Sequence, residues 1–280
     1  MKERKFKKRG LKEAPAVIIA AFGTNTNGRV VYELFDSVLK THFESVKVLW
    51  AYTSEIIREK TGNPGVLQAL AMLEEEGYRR AVVQPLQIFP GTEYQELMET
   101  CLSFPGVRVV AGETLLHRWH FVDEVFSAIS NDFLSQKEGI NLVVAHGTPL
   151  CADPANIVYI GLDNYLQNHY NNVFLSTVDG IPDRISALTR IKTRLEQTKK
   201  TKHRVRLLPF MYVAGLHVEK DLLGTQDSFK TDLESLGLAV DCPIVSYGEN
   251  SFVKGLGFYK EVQACFVKRI ERSLDIMRFY

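Results

Sequence analysis

Two histidines and an aspartate each follow an apolar run. His146 comes after 142–145, Asp179 after 173–178, and His217 after 205–213. If those runs are strands of a parallel α/β sheet, all three residues stand beyond the strands' carboxyl ends, where ligands of such sheets bind. Two neutral imidazoles and a carboxylate suit a borderline divalent ion such as cobalt, iron, nickel or zinc, with coordination positions left open for a substrate. The separations of 33 and 38 residues match no metal-loop motif, so only strand ends bring the three together. Taken singly, each histidine also reads as a packing residue, and Asp179 before Gly180 as a turn residue.

The elements that must position these side chains follow from periodicity. Short β-branched runs at 16–21, 46–52, 81–89, 107–111, 142–145, 173–178, 205–213 and 239–245 predict strands. Amphipathic segments at 29–43, 64–77, 93–102, 118–134, 155–170, 182–196, 227–237 and after Glu249 predict helices between and beyond them. This alternation is the pattern of α/β folds with parallel sheets.

An internal repeat divides the chain. Ala20-Ala21-Phe22-Gly23-Thr24 precedes Val144-Ala145-His146-Gly147-Thr148 by 124 positions, and the same offset relates Pro85 to Pro209 and Gly91 to Gly215. Two similar Rossmann-like α/β domains facing a central cleft are therefore expected. The first is 1–135, joined by the C-terminal helix 250–280, and the second is 136–249. Under the offset, Phe22, Glu55 and Glu93 are the first-half equivalents of His146, Asp179 and His217. The turns at Phe22-Gly23-Thr24 and Gly147-Thr148 offer backbone N–H groups to an anionic ligand, or serve simply as tight turns and N-caps.

The rest of the sequence narrows the function. With 34 Lys+Arg against 33 Asp+Glu the net charge is +1, so no general field favours nucleic acid or an acidic membrane. A solvated, frayed terminus is expected of the basic stretch 1–12. No apolar run approaches the ~20 residues of a membrane helix and no signal peptide is evident, so the cytoplasm is the expected compartment. Cys101, Cys151, Cys242 and Cys265 are widely spaced and read as reduced packing residues, while His42, His117, His120, His169 and His203 read as surface groups. Dinucleotide, phosphate-loop and nucleophile-elbow motifs are absent, so no nucleotide cofactor is expected.

At these residues the chain resembles the anaerobic cobalt chelatases, which insert Co2+ into sirohydrochlorin or precorrin-2. The resemblance runs through Phe22-Gly23-Thr24, Ala51-Tyr52-Thr53-Ser54, Val83-Gln84-Pro85-Leu86, Pro90-Gly91-Thr92-Glu93-Tyr94, His146-Gly147, Thr177-Val178-Asp179-Gly180-Ile181-Pro182, Leu208-Pro209-Phe210-Met211, Val213-Ala214-Gly215-Leu216-His217 and Gly248-Glu249-Asn250. It covers nearly the whole chain.

The resemblance implies a chelatase-like fold of two flavodoxin-like halves, with the metal on His146, His217 and Asp179, the last standing where the family usually has glutamate. It implies that the imidazoles deliver the metal and accept pyrrole protons, and that Glu93, in the family's Gly-x-Glu-Tyr, acts at the opposite face of the ring. The alternative for Glu93 is a helix cap. Co2+ is the expected metal substrate, with Fe2+ or Ni2+ as alternatives, and a non-catalytic tetrapyrrole or metal carrier is a further reading. The expected partner is the tetrapyrrole, its carboxylates met by rim cations such as Arg29, Arg58 and Arg184. A homo-oligomer is compatible with the chain, and neither nucleic acid nor membrane is expected as a partner.

Overall fold

The computed structural model describes residues 10–197 and 204–279; the basic stretch before Gly10 and His203 lie outside the described residues. The first half contains β1 (Ala16–Ala21), α1 (Val30–His42), β2 (Val48–Tyr52), α2 (Glu55–Thr61), α3 (Val66–Glu75), β3 (Arg80–Pro85), α4 (Thr92–Ser103), β4 (Arg108–Ala111) and α5 (Trp119–Ile129). The second contains β5 (Gly139–Gly147), α6 (Ala155–His169), β6 (Val173–Asp179), α7 (Arg184–Gln197), β7 (Arg204–Phe210), α8 (Phe229–Ser235) and β8 (Ala239–Asp241). A hairpin of β9 (Ile244–Tyr247) and β10 (Asn250–Val253) leads to α9 (Lys260–Met277).

Two four-stranded sheets result, both parallel throughout, in the orders β2-β1-β3-β4 and β6-β5-β7-β8. All six residues of β1, Ala-Val-Ile-Ile-Ala-Ala, are buried. A strand covered on both faces reads this way, as a continuous apolar run without alternation.

The repeat is visible in the registers. Ala20 pairs with Pro85 in the first sheet and Val144 with Pro209 in the second, so the 124-residue offset holds across β1/β3 and β5/β7. It slips by one at the neighbouring strand, where Ala21 pairs with Tyr52 but Ala145 with Thr177. Asp179 therefore corresponds to Ser54, correcting the expected equivalence with Glu55. Ser54 instead caps α2, its Oγ accepting the Ile57 N–H at 3.4 Å.

One apolar core runs through both halves, taking in Val17 and Val82 of the first sheet, Val143 and Phe210 of the second, and Phe126 and Phe266 from α5 and α9. The Phe126 and Phe210 rings stack at 5.4 Å with planes 19° apart. Helix α9 returns the C-terminus to the first sheet and packs on β3, β4 and α5. Its Arg269 guanidinium lies 3.7 Å over the Phe121 ring of α5.

The expected strand at 239–245 is divided between β8 and β9, and the expected helix after Glu249 begins only at Lys260. The hairpin between them turns at Gly248, whose φ of +59° favours glycine. Among the described residues no helix is long and apolar enough to cross a membrane.

Candidate functional site

His146 is the penultimate residue of β5, and the backbone turns away immediately after it at Gly147, where φ is +80°. A Cβ at Gly147 would collide with the carbonyl of Asp179 on β6, so this turn requires glycine. The matching turn at Gly23 has φ +94°, and a Cβ there would come within 2.7 Å of the Tyr52 ring. A buried tyrosine from the helix that follows each turn, Tyr32 in α1 and Tyr159 in α6, has its pKa raised by burial.

His217 directly precedes a π-helical turn, Val218–Leu222, which buried Val218 and Leu222 anchor. Such turns recur at functional sites. The His146 and His217 rings meet edge to face, with centroids 4.7 Å apart and planes at 79°. His146 Nδ1 lies 3.2 Å from the Gly147 carbonyl oxygen. His217 Nδ1 lies 2.8 Å from a carboxylate oxygen of Asp221.

Both histidines line a cavity of about 670 Å³ at the carboxyl ends of both sheets, together with Phe22, Gly23, Thr24, Glu93 and Gly147. Its wall includes apolar side chains left open to solvent: Phe22 at 54%, Leu150 at 58% and Leu216 at 52% exposure. Exposed apolar groups gathered in a concavity mark a binding site. Tyr32 and Tyr212 also line it, stacked at 5.9 Å with planes 13° apart. Tyr94 donates its hydroxyl to the Gly112 carbonyl at 3.2 Å, and burial, reinforced by the Glu113 charge, pushes its pKa up to about 12.

Glu93 lies in the first turn of α4, where it accepts a hydrogen bond from Gln87 at 3.4 Å. It is not the cap of that helix. The Thr92 N–H is taken by Asp153 from the second half, at 3.1 Å. The same Asp153 oxygen accepts the Ala155 N–H at 2.9 Å, so one carboxylate ties the starts of α4 and α6 together. The threonines of the two turns serve local structure: Thr24 accepts the Thr26 N–H, and Thr148 the Leu150 N–H, each at 3.2 Å.

Asp179 stands apart from the histidine pair. It is exposed and is not among the residues lining the cavity. It registers with Gly147, not His146, and successive strand residues project to opposite faces of the sheet. Among the described residues no three His, Cys, Asp or Glu side chains gather closely enough to hold an ion, so the expected cluster is not assembled in this structure. The carboxylate in contact with His217 is that of Asp221, which the sequence reading missed. A His-x-x-x-Asp spacing was its only signal, and that spacing has meaning only if the segment after His217 is helical.

None of the expected rim cations Arg29, Arg58 and Arg184 is among the residues lining the cavity. No lysine or arginine is among the described residues lining the cavity, whose charged side chains include Glu93, Glu96 and Asp153. Arg29 pairs with Glu33 at 3.4 Å, and Arg184 with Asp227 and Asp232.

A family model described as Cobalt chelatase (CbiK) matches residues 15–275. The chain is 30% identical over 235 residues to the sirohydrochlorin cobaltochelatase CbiKC of Nitratidesulfovibrio vulgaris, covering 79% of this chain and 80% of that protein. It is 25% identical over 236 residues to the sirohydrochlorin cobaltochelatase of Salmonella typhimurium, covering 81% and 83%. The structure of SirB from Bacillus subtilis with Fe3+ aligns at a TM-score of 0.60 and 14% identity, over 93% of this chain and 96% of that one, a likeness of fold alone. Two parallel sheets opening on a cavity that holds a histidine pair, and a sequence match spanning both sheets, lead to one assignment: the chain belongs to the cobalt chelatase (CbiK) family.

Proposed function

We propose that this protein is a cytoplasmic sirohydrochlorin cobaltochelatase that inserts Co2+ into the tetrapyrrole without ATP. The observation that carries this reading is the His146–His217 pair, 4.7 Å apart, on the wall of an apolar-lined cavity. The named activity of relatives at 30% and 25% identity supports it.

The chemistry asks little of the protein beyond placement. Metallation exchanges two pyrrole N–H protons for one Co2+, with no change of oxidation state and no nucleotide. In this mechanism His146 and His217 hold the ion through imidazole nitrogens, while Phe22, Leu150 and Leu216 take the apolar face of the ring. The bound ring excludes water, and the metal passes from imidazole to pyrrole nitrogen. Two labile ligands favour that transfer over a closed four-ligand site that retains its ion. Glu93, which also lines the cavity, and the vacated imidazoles accept the two protons. With no cation among the described lining residues, the ring's carboxylates point to the mouth and solvent while the acidic interior favours the incoming metal ion.

The test is anaerobic absorption spectroscopy with sirohydrochlorin and Co2+, run beside His146→Ala and His217→Ala. Rapid metallation that both variants lose is the expected result. Ring binding with product no faster than without protein would overturn the assignment. Asp179→Asn, run in parallel, separates a two-histidine grip, which it leaves intact, from one that recruits Asp179 on metal binding, which it weakens.

A further inference from the structure

We propose that Asp221 is a positioning residue for the metal: it fixes His217 in the Nδ1–H tautomer, so that both cavity histidines present an unprotonated Nε2 to the same ion. The proposal rests on the metal-binding role given above to His146 and His217, but the tautomer it assigns can be read without metal.

The hydrogen bonds dictate the assignment. A carbonyl oxygen only accepts, so the 3.2 Å contact from His146 Nδ1 to the Gly147 carbonyl puts the proton on Nδ1. An ionised carboxylate likewise only accepts, and Asp221 stands 2.8 Å from His217 Nδ1. In a neutral imidazole the other nitrogen then carries the lone pair. Both rings are thus prepared in the same sense, one by its strand end and the other by a side chain.

Asp221 is well placed to hold that contact. It shares the turn Val218–Leu222 with two fully buried anchors, Val218 and Leu222, which hold its backbone in place beside His217. His217, by contrast, is an exposed ring whose Nδ1 has no other hydrogen-bond partner among the described residues. Without Asp221 the ring is free to rotate and to change tautomer. A carboxylate on the far nitrogen of a metal-binding histidine orients the ring and strengthens it as a donor, and losing such a partner typically weakens metal affinity about 10- to 100-fold.

The experiment uses the full chain, 15N-labelled at histidine, as wild type, Asp221→Ala and Asp221→Asn. Long-range 1H–15N spectra report the His217 tautomer in metal-free protein, and anaerobic calorimetry with Co2+ alone reports affinity. The expected wild-type state is Nδ1–H. Asp221→Ala loses it and binds Co2+ about 10- to 100-fold more weakly, while Asp221→Asn, whose amide oxygen accepts the same bond, recovers most of both. An Nε2–H tautomer in the wild type overturns the proposal with no variant needed. So does an Asp221→Ala protein that is less stable but unchanged in tautomer and affinity. If Co2+ leaves the wild-type His146 and His217 signals untouched, the metal-binding reading fails instead, and the tautomer measurement still decides the role of Asp221.

Discussion

The carboxylate of Asp153 accepts the N–H of Thr92 at 3.1 Å, so a residue of the second half caps the first-half helix that carries Glu93. The approach is close: a Cβ on Gly91 would lie 2.8 Å from the same oxygen. Asp153→Ala removes this cap and that of Ala155 together, and the expected loss is about 1–2 kcal/mol of stability. Asp153→Asn keeps an acceptor and should restore most of it. Urea midpoints of the three proteins check this, and equal midpoints for Asp153→Ala and wild type would show that the carboxylate holds neither helix.

Gly147→Ala tests whether the turn behind His146 needs a bare backbone. Gly62 provides the control, because its φ of +71° is similar but nothing lies within 4 Å of where its Cβ would be. Gly62→Ala should lose only the cost of a left-handed alanine, about 1–2 kcal/mol. Gly147→Ala should lose more, since the added methyl meets the Asp179 carbonyl and must push β5 from β6. Calorimetric melting of the pair decides the matter: equal losses would mean the turn yields without moving the strands. Co2+ affinity should fall in Gly147→Ala alone, because His146 adjoins the displaced residue.

What the sequence made legible was whatever depended on pattern within one segment or on the repeat. The carboxyl ends of β5 and β7, expected after 145 and 213 and found at Gly147 and Phe210, put His146 and His217 in one cavity, and Pro85 and Pro209 occupy the same register in their sheets. What stayed hidden depended on geometry between segments. The one-residue slip between β1/β2 and β5/β6 changes which face Asp179 projects from, and no count along the chain shows it. The Asp153–Thr92 contact spans 61 residues and joins two halves whose docking only the tertiary structure supplies. Helix α2 escaped notice because seven residues with none buried carry no apolar stripe.

Acid should weaken the edge of the second sheet through Asp241. Cross-strand from it, Arg206 donates two hydrogen bonds of 2.9 Å to its carboxylate, and with help from Arg204 these hold its pKa below the usual carboxylate range despite partial burial. A carboxyl whose folded pKa is depressed adds stability that is fully present above the unfolded value near 3.9 and is lost as pH falls through the lower folded value. Asp241→Asn should therefore be less stable than wild type at pH 7, by about 1 kcal/mol or less for a partly exposed pair. The difference should shrink by pH 3. Urea unfolding at the two pH values measures it, and a gap that stays constant would assign the stabilisation to shape and not to charge.

Phe22 takes the place in the first half that His146 holds in the second, and the fold leaves 54% of its surface in the open although it is a large apolar ring. An exposed aromatic contributes little to the folded state, so its position on the cavity wall points to contact with a ligand. If that ligand is the face of the tetrapyrrole, Phe22→Ser should leave the melting temperature unchanged and weaken sirohydrochlorin binding about tenfold, or ~1.4 kcal/mol. Co2+ binding should hold, since neither imidazole is touched. Fluorescence quenching for the ring and calorimetry for the metal separate the two affinities. Loss of Co2+ binding with ring affinity intact would mean that Phe22 supports the histidines, and that the macrocycle binds against another part of the wall.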